Sequence, residues 1–294
     1  MRRRGPRLTT NEMLTVLEII RRSTEFLAGK GVESPRLSAE HLVGHALGLN
    51  RMRLYLEFER PLTEAELGRI RPLVKRRSQR EPLQHILGEV DFAGVKLKVD
   101  RRALVPRPET ELLVEIVAGW AVENPPVARV ADLGTGTGAI ALGLASRLTE
   151  VAVVAVERED AALALARENA AFHPAGPRVE FVQSNWFAAL PGGAFDVIVS
   201  NPPYLSESDL AEVAPEVREF EPRSALVAAE EGLGDLRGII AGAGRHLRRG
   251  GLLALETGPT QHAALLAAAA EAGYARSESR RDLTGRDRFI LAVW

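Results

Sequence analysis

The stretch Arg129-Val130-Ala131-Asp132-Leu133-Gly134-Thr135-Gly136-Thr137-Gly138-Ala139 decides the fold. A short apolar run reads as a buried strand. Glycines at alternate positions then carry the chain into a helix that begins at Ala139, since glycine accepts the positive φ of such a turn. The free amides at that helix start offer hydrogen-bond donors, and the absence of side chains lets a ligand approach the backbone. Downstream, apolar runs alternate with helical segments: Arg129–Leu133, Val151–Val156, Val179–Val182, Val197–Ser200 and Leu252–Glu256, with Arg288–Val293 closing the chain. Continuous apolar strands separated by helices predict an α/β fold around a parallel sheet buried on both faces, with ligand at the carboxyl ends of its strands. Glu157 ends the next strand, where a carboxylate can accept both hydroxyls of an adenosine ribose. Gly134, Gly136 and Ala139 also satisfy the relaxed dinucleotide pattern, so this loop leaves nicotinamide and S-adenosylmethionine cofactors both open.

The fourth strand is more informative, because Val197-Ile198-Val199-Ser200 runs directly into Asn201-Pro202-Pro203-Tyr204. An amino group on an sp² carbon is a poor nucleophile, its lone pair being delocalised. Two acceptors, the Asn201 side-chain oxygen and the Pro202 carbonyl, can each take one hydrogen of such an NH₂ and turn its lone pair toward an electrophilic methyl group. Pro202 and Pro203 bring fixed φ and no competing amide hydrogens, and Tyr204 can stack on the planar group.

Upstream the pattern is helical. Met13, Val16, Leu17, Ile20 and Leu27 recur at helical spacing behind Thr9 and Glu12, which fit a capping box. Ser38 is expected to cap a second helix reaching Leu47, and Thr63 with Glu66 a third that extends through Lys75-Arg76-Arg77 and is kinked or split at Pro72. Phe92, Val95, Leu97 and Val99 alternate around Ala93-Gly94, the pattern of a β-hairpin. The expected organisation is a helical unit over residues 1–80, a hairpin connector over 81–105 and an α/β domain over 106–294.

The 294 residues are 46% hydrophobic and 26% charged, with 38 Lys and Arg against 39 Asp and Glu, which excludes disorder and any strong overall field. Residues 1–80 hold 17 of those bases and 9 of the acids, leaving 21 and 30 for the remainder. The basic front suits an acidic partner or RNA, or simply solvated helix faces. No cysteine is present, so disulfides and zinc–thiolate sites are excluded, and the six histidines lack ligand spacing; no metal is implied. The apolar stretch behind the N-terminal arginines is interrupted by Glu12 and Glu18, and no window suits a membrane span. A cytoplasmic protein is expected.

Several segments together resemble the class I S-adenosylmethionine methyltransferases and, within them, the PrmC/HemK family: Glu81-Pro82-Leu83-Gln84-His85-Ile86-Leu87-Gly88, Val105-Pro106-Arg107-Pro108-Glu109-Thr110-Glu111, the loop Asp132 to Gly138, Asn201 to Tyr204, and Phe220-Glu221-Pro222-Arg223. The resemblance implies a Rossmann-like domain with a mostly parallel seven-stranded sheet behind a small helical domain and a hairpin. It further implies methyl transfer from S-adenosylmethionine, with S-adenosylhomocysteine as product, to the N5 amide nitrogen of the glutamine in the Gly-Gly-Gln motif of class-1 peptide chain release factors, docked by the front helices. Carried over, Gly134, Thr135, Gly136, Thr137 and Gly138 wrap the methionine part of the cofactor, Glu157 holds its ribose and Trp186, in Ser184-Asn185-Trp186-Phe187, lies against adenine. Asn201, Pro202, Pro203 and Tyr204 grip the glutamine amide, and Asn201 also borders the cofactor. Glu157, Asn185 and His85 stand where the family usually has Asp, an acid and an aromatic.

For Arg107 to Glu111 two readings stand together. Glu109 and Glu111 favour the amino end of a helix, which needs no substrate. The same turn can instead border the substrate channel, so that Arg107→Ala raises the Michaelis constant. The alternative activity for the whole chain is a nucleobase amino-group methyltransferase, acting on adenine N6 or ribosomal RNA. Its near-neutral charge and the lack of an inserted recognition domain disfavour a stable nucleic-acid partner. A nicotinamide-dependent oxidoreductase requires a hydride-handling residue where Asn201 to Tyr204 stand, and a non-catalytic sensor requires Asn201 to be dispensable.

Overall fold

The structure, a computed structural model, describes residues 14–190 and 194–294. Thr9 and Glu12 lie outside the described residues. The chain divides into two compact units, Met1–Leu87 and Gly88–Trp294.

The first unit is helical: α1 (Val16–Ala28), α2 (Pro35–Leu47), α3 (Arg51–Leu56), α4 (Glu64–Ser78) and α5 (Leu83–Leu87). Val16, Ile20 and Leu27 of α1 meet Leu42 and Val43 of α2, Leu54 of α3 and Ile70 of α4 in one core. The cap of α1 is Thr15, whose hydroxyl accepts from the Glu18 amide. Helix α2 begins before the expected Ser38 cap, because Pro35 opens it with a preset φ and no amide to satisfy. Ser38 is instead buried inside the helix, with Arg77 Nε at 3.4 Å from its hydroxyl. The Thr63/Glu66 capping box forms as expected. Helix α4 is not split at Pro72; it continues as one helix to Ser78. Gly68 stands four residues earlier, at the carbonyl the proline ring crowds. His85 falls on α5, not on the hairpin, and is buried.

The second unit opens with the hairpin of β1 (Glu89–Phe92) and β2 (Val95–Lys98). Ala93 and Gly94 both have positive φ, +49° and +83°, which closes the antiparallel pair in two residues. Phe92, Val95 and Leu97 pack into the core of this unit with Leu113, Leu142 and Val197. The remaining elements are α6 (Pro108–Glu123), β3 (Arg129–Leu133), α7 (Ala139–Arg147), β4 (Ala152–Glu157), α8 (Asp160–Ala171), β5 (Val179–Gln183), β6 (Phe195–Ser200), α9 (Glu207–Glu212), α10 (Pro215–Phe220), α11 (Gly234–Ala243), β7 (Leu247–Glu256), α12 (His262–Ala272), β8 (Arg276–Arg281) and β9 (Asp287–Val293).

Among the described residues the main sheet has seven strands in the order β5-β4-β3-β6-β7-β9-β8. Strands β3 to β7 run parallel, and β9 is antiparallel to both β7 and β8. Strand β8, Arg-Ser-Glu-Ser-Arg-Arg, is absent from the sequence reading because it carries no apolar face. It forms the sheet's edge, where charge discourages pairing with another chain. The inner strands are buried almost throughout, Asp132 and Asp196 included, and serve two cores. Val197 and Val199 of β6 face one side with α6 and α7, whereas Phe195 and Ile198 face the other with α11 and α12. The chain runs outward from β3 through β4 to β5 and returns to β6 on the other flank of β3. That reversal places the loops after β3 and β6 side by side at the strands' carboxyl ends, where open α/β sheets bind ligands.

Candidate active site

A cleft of the second unit opens at this switch point. Its walls include Gly134, Thr135, Gly136, Thr137, Glu157, Ser184, Asn185, Trp186, Asn201 and Pro203, together with Arg107, Thr110 and Asp235. Of the sequence-predicted residues, Gly138, Pro202 and Tyr204 are not among its walls.

Gly134, Gly136 and Gly138 have φ of +73°, +56° and +82°, which L side chains rarely adopt. A Cβ on Gly134 would stand 3.2 Å from the Trp186 ring, so the indole lies against bare backbone. Trp186 itself has φ +49°, a left-handed conformation for a bulky residue, and its Nε1 donates to Asp235 at 3.1 Å. Phe187 turns away from the cleft, stacks on His246 with ring centroids 4.9 Å apart, and packs beside Gly242. Ser184 holds the turn, its hydroxyl accepting from the Ala189 amide at 2.7 Å.

Two buried carboxylates support the glycine loop. Asp132 Oδ2 accepts from the Thr135 hydroxyl at 2.6 Å and the Ala141 amide at 3.1 Å. Burial, aided by the Glu157 charge, pushes the Asp132 carboxyl up to about 7. Its Oδ1 is buried without a hydrogen-bond partner among the described residues. Glu157 Oε2 accepts from the Gly136 amide at 2.9 Å, and Oε1 from the Arg158 and Glu159 amides at 2.8 and 3.0 Å. With two lone pairs on each oxygen, this carboxylate has one left, enough for one ribose hydroxyl in this arrangement, where the sequence suggested two.

Asn201 follows β6 directly and is half-buried in the cleft wall. Its Nδ2 donates to Thr110 Oγ1 at 3.1 Å, and Thr110 in turn donates to Glu256 Oε2 at 2.7 Å. Pro202 is buried. The Tyr204 carbonyl accepts from Gln261 Nε2 at 2.9 Å, and burial pushes its phenol up to about 12, so the ring remains neutral. Arg107 pairs with Glu221, tying the Pro-Arg-Pro-Glu-Thr-Glu turn to the Phe-Glu-Pro-Arg segment; Glu221 also accepts from the Val105 amide at 3.3 Å. Burial raises Glu221 above the usual carboxylate range even against the Arg107 charge. Arg107 thus has a structural partner as well as a place in the cleft wall.

The sequence reading passed over Asp235 and Glu256, and it quoted Thr110 and Glu221 within longer segments without giving either a role of its own. Glu256 had a visible signal: like Glu157, it is an acid that closes an apolar run, here Leu252 to Leu255. Asp235 had none, since an acid in a helix's first turn is ordinary.

The cleft fits an adenosyl cofactor on its own chemistry. It offers side-chain-free loop amides, a buried carboxylate with a spare lone pair, an unpaired Asp132 oxygen beneath the loop and an indole beside Gly134.

Residues 18–88 match the PrmC N-terminal domain, and residues 109–217 the methyltransferase small domain. The release factor glutamine methyltransferase of Geobacter sulfurreducens is 41% identical over 279 residues, which cover 95% of this chain and 96% of that one. Its counterpart from Deinococcus radiodurans is 44% identical over 277 residues, covering 94% and 97%. Among solved structures, the catalytic domain of hMettl16 in complex with the MAT2A 3'UTR hairpin 6 superimposes with a TM-score of 0.55 at 18% identity, over 76% of this chain and 81% of that one. The N-terminal domain of human METTL16 in complex with SAH gives 0.52 at 17%, over 74% and 83%. At such identities the likeness concerns the fold.

Proposed function

We infer the reaction of this cleft from one premise: the chain belongs to the release factor glutamine methyltransferase family. It is an S-adenosylmethionine-dependent methyltransferase, and its substrate is the side-chain amide of the Gly-Gly-Gln glutamine of a class-1 peptide chain release factor, methylated on N5. The observation that carries this reading is Asn201, whose amide nitrogen is engaged by Thr110, which leaves its oxygen as the free, accepting end in the cleft wall.

The residues divide the work. Gly134 to Gly138 and Glu157 hold the cofactor through loop amides and a carboxylate, Trp186 provides an aromatic face, and Thr135 and Asp132 keep the loop in shape. When bound, the cofactor would supply an electrophilic sulfonium methyl group to the glutamine nitrogen, with S-adenosylhomocysteine and a proton released to water as the other products. Asn201 Oδ1 and the Pro202 carbonyl accept the two amide hydrogens, which holds the nitrogen's lone pair in line with the methyl carbon. Tyr204, neutral at all ordinary pH, stacks without adding charge. Orientation of this kind supplies several kcal/mol, up to roughly 7–11 in favourable cases. The first unit, residues 1–87, serves as the release-factor dock, and the reaction takes place in the cytoplasm, where release factors act.

Incubation with labelled S-adenosylmethionine and either release factor or nucleic acid tests the reading. The expected product is a release-factor tryptic peptide heavier by one methyl on glutamine; label on nucleic acid alone overturns it. Asn201→Ala is expected to lower kcat by about 10²–10³-fold while leaving cofactor affinity intact, as for loss of one preorganised polar group at a reacting centre.

A further inference from the structure

We propose that Thr110 and Glu256 are positioning residues: a directed line of hydrogen bonds from the Glu256 carboxylate through the Thr110 hydroxyl fixes the Asn201 amide so that its oxygen, not its nitrogen, is presented to the substrate. The inference rests on the glutamine-amide reading above and deepens it.

Three separate elements meet here. Thr110 sits in the first turn of α6, Glu256 ends β7, and Asn201 follows β6. Thr110 and Glu256 are 4% and 2% exposed, so water does not substitute for either partner. A threonine hydroxyl has a single proton, and a carboxylate only accepts. That proton is therefore committed to Glu256 at 2.7 Å, and the hydroxyl can meet Asn201 only as an acceptor, from Nδ2 at 3.1 Å. The planar Asn201 amide is thereby oriented, because its nitrogen is the end held by Thr110. A neutral Glu256 would place its own proton on Thr110, free the hydroxyl to donate, and favour the reversed amide, whose NH₂ would then confront the NH₂ of the substrate. Packing alone does not call for this arrangement, since an ionised group buried to this degree is costly and an isosteric amide or apolar side chain fills the same space.

The charges facing Glu256 come from three directions. Arg288 of β9 and Arg107 before α6 favour its ionised form, Glu109 of α6 opposes it, and Tyr204 beyond β6 is neutral. Burial dominates and pushes the carboxyl up to about 7. The line therefore acquires its direction as pH rises through that value, and kcat should rise with it.

The test compares the full-length wild type with E256Q, T110V and T110S. In E256Q the side-chain amide can donate to or accept from Thr110, so the line loses its direction; in T110V it is cut. In both, kcat should fall by about 10²-fold, the scale of a small misplacement of reacting groups, with cofactor affinity unchanged. T110S keeps the hydroxyl and should restore most of the rate, and the limb of the kcat–pH profile near 7 should vanish in E256Q. A readout independent of turnover is solvent exchange of the Asn201 side-chain amide, its NMR signals assigned by their loss in N201A. Protection should be present in wild type and lost in T110V and E256Q. Wild-type kcat in E256Q and T110V, a T110S rate as low as that of T110V, or identical exchange in all of them would each overturn the proposal. A wild type that methylates no release factor counts against the substrate reading alone, and the exchange pattern still decides whether the line exists.

Discussion

At Gly134 two demands meet: a backbone φ of +73° and a ring 3.2 Å from where a Cβ would stand. Gly134→Ala therefore carries the cost of a left-handed alanine, about 1–2 kcal/mol, and pushes the Trp186 indole away from the loop. The expected outcome is cofactor binding weakened by about tenfold or more, since 1.4 kcal/mol is a factor of ten, read by calorimetric titration with S-adenosylhomocysteine. Unchanged affinity would mean that the ring does not serve the cofactor. Residues of this kind were legible in the sequence because their chemistry lies in a local pattern: alternating glycines after a strand, or Asn-Pro-Pro-Tyr after another. What Thr110 and Glu256 do together was not, because the bond that gives them a role joins positions 146 residues apart, and Asn201 reaches Thr110 across 91. No spacing rule reports a hydrogen bond of that range. Glu157 shows a subtler failure: the residue type and its strand-end position were readable, but the three amides that already occupy its oxygens were not.

Helix α4 shows how elements balance such local choices. Its start is reinforced by the Thr63/Glu66 box, in which Glu66 accepts from the Thr63 amide at 2.8 Å and the Thr63 hydroxyl accepts from the Glu66 amide at 3.2 Å. Its interior contains the exposed Pro72, which removes one backbone bond. Pro72→Ala should restore that bond to the Gly68 carbonyl and stabilise the protein by up to about 3 kcal/mol. Thr63→Ala should cost about 1 kcal/mol through the lost cap. Urea unfolding of the two variants checks both signs, and a destabilising Pro72→Ala would show that the proline's shape, rather than its missing donor, is what the helix uses. The sequence predicted a break at Pro72 because it weighs the proline alone, whereas apolar Leu67, Ile70 and Val74 on either side are held in one core and keep the helix continuous. Strand β8 fails for the opposite reason. Nothing apolar marks it, and only its pairing with β9 from Arg276 to Arg281 makes it a strand.

Across the whole molecule, the second unit places its costly groups at the carboxyl ends of its strands, and this has a measurable consequence in stability. Glu256 titrates near 4.5 in the unfolded chain and is pushed up to about 7 in the fold by burial. Between those values the folded protein retains a proton that the unfolded chain has released, so stability falls as pH rises from about 4.5 to about 7, then levels off. Asp132, raised from 3.8 to about 7, acts in the same sense. His41, His173, His246 and His262 act in the opposite sense: burial lowers each, so the fold gains stability as pH rises toward 6.5. The wild-type curve therefore sums opposed contributions, and its slope identifies no single group. Subtracting the unfolding free energy of E256Q removes the histidines and Asp132 together. The gap between E256Q and wild type should shift in favour of the variant by on the order of 3 kcal/mol between pH 4.5 and pH 8, at 1.36 kcal/mol per unit. Chemical denaturation of both proteins across that range measures it directly. A constant gap would place Glu256 in ordinary ionisation equilibrium, and the buried end of β7 would then have to be wetter than its 2% exposure implies.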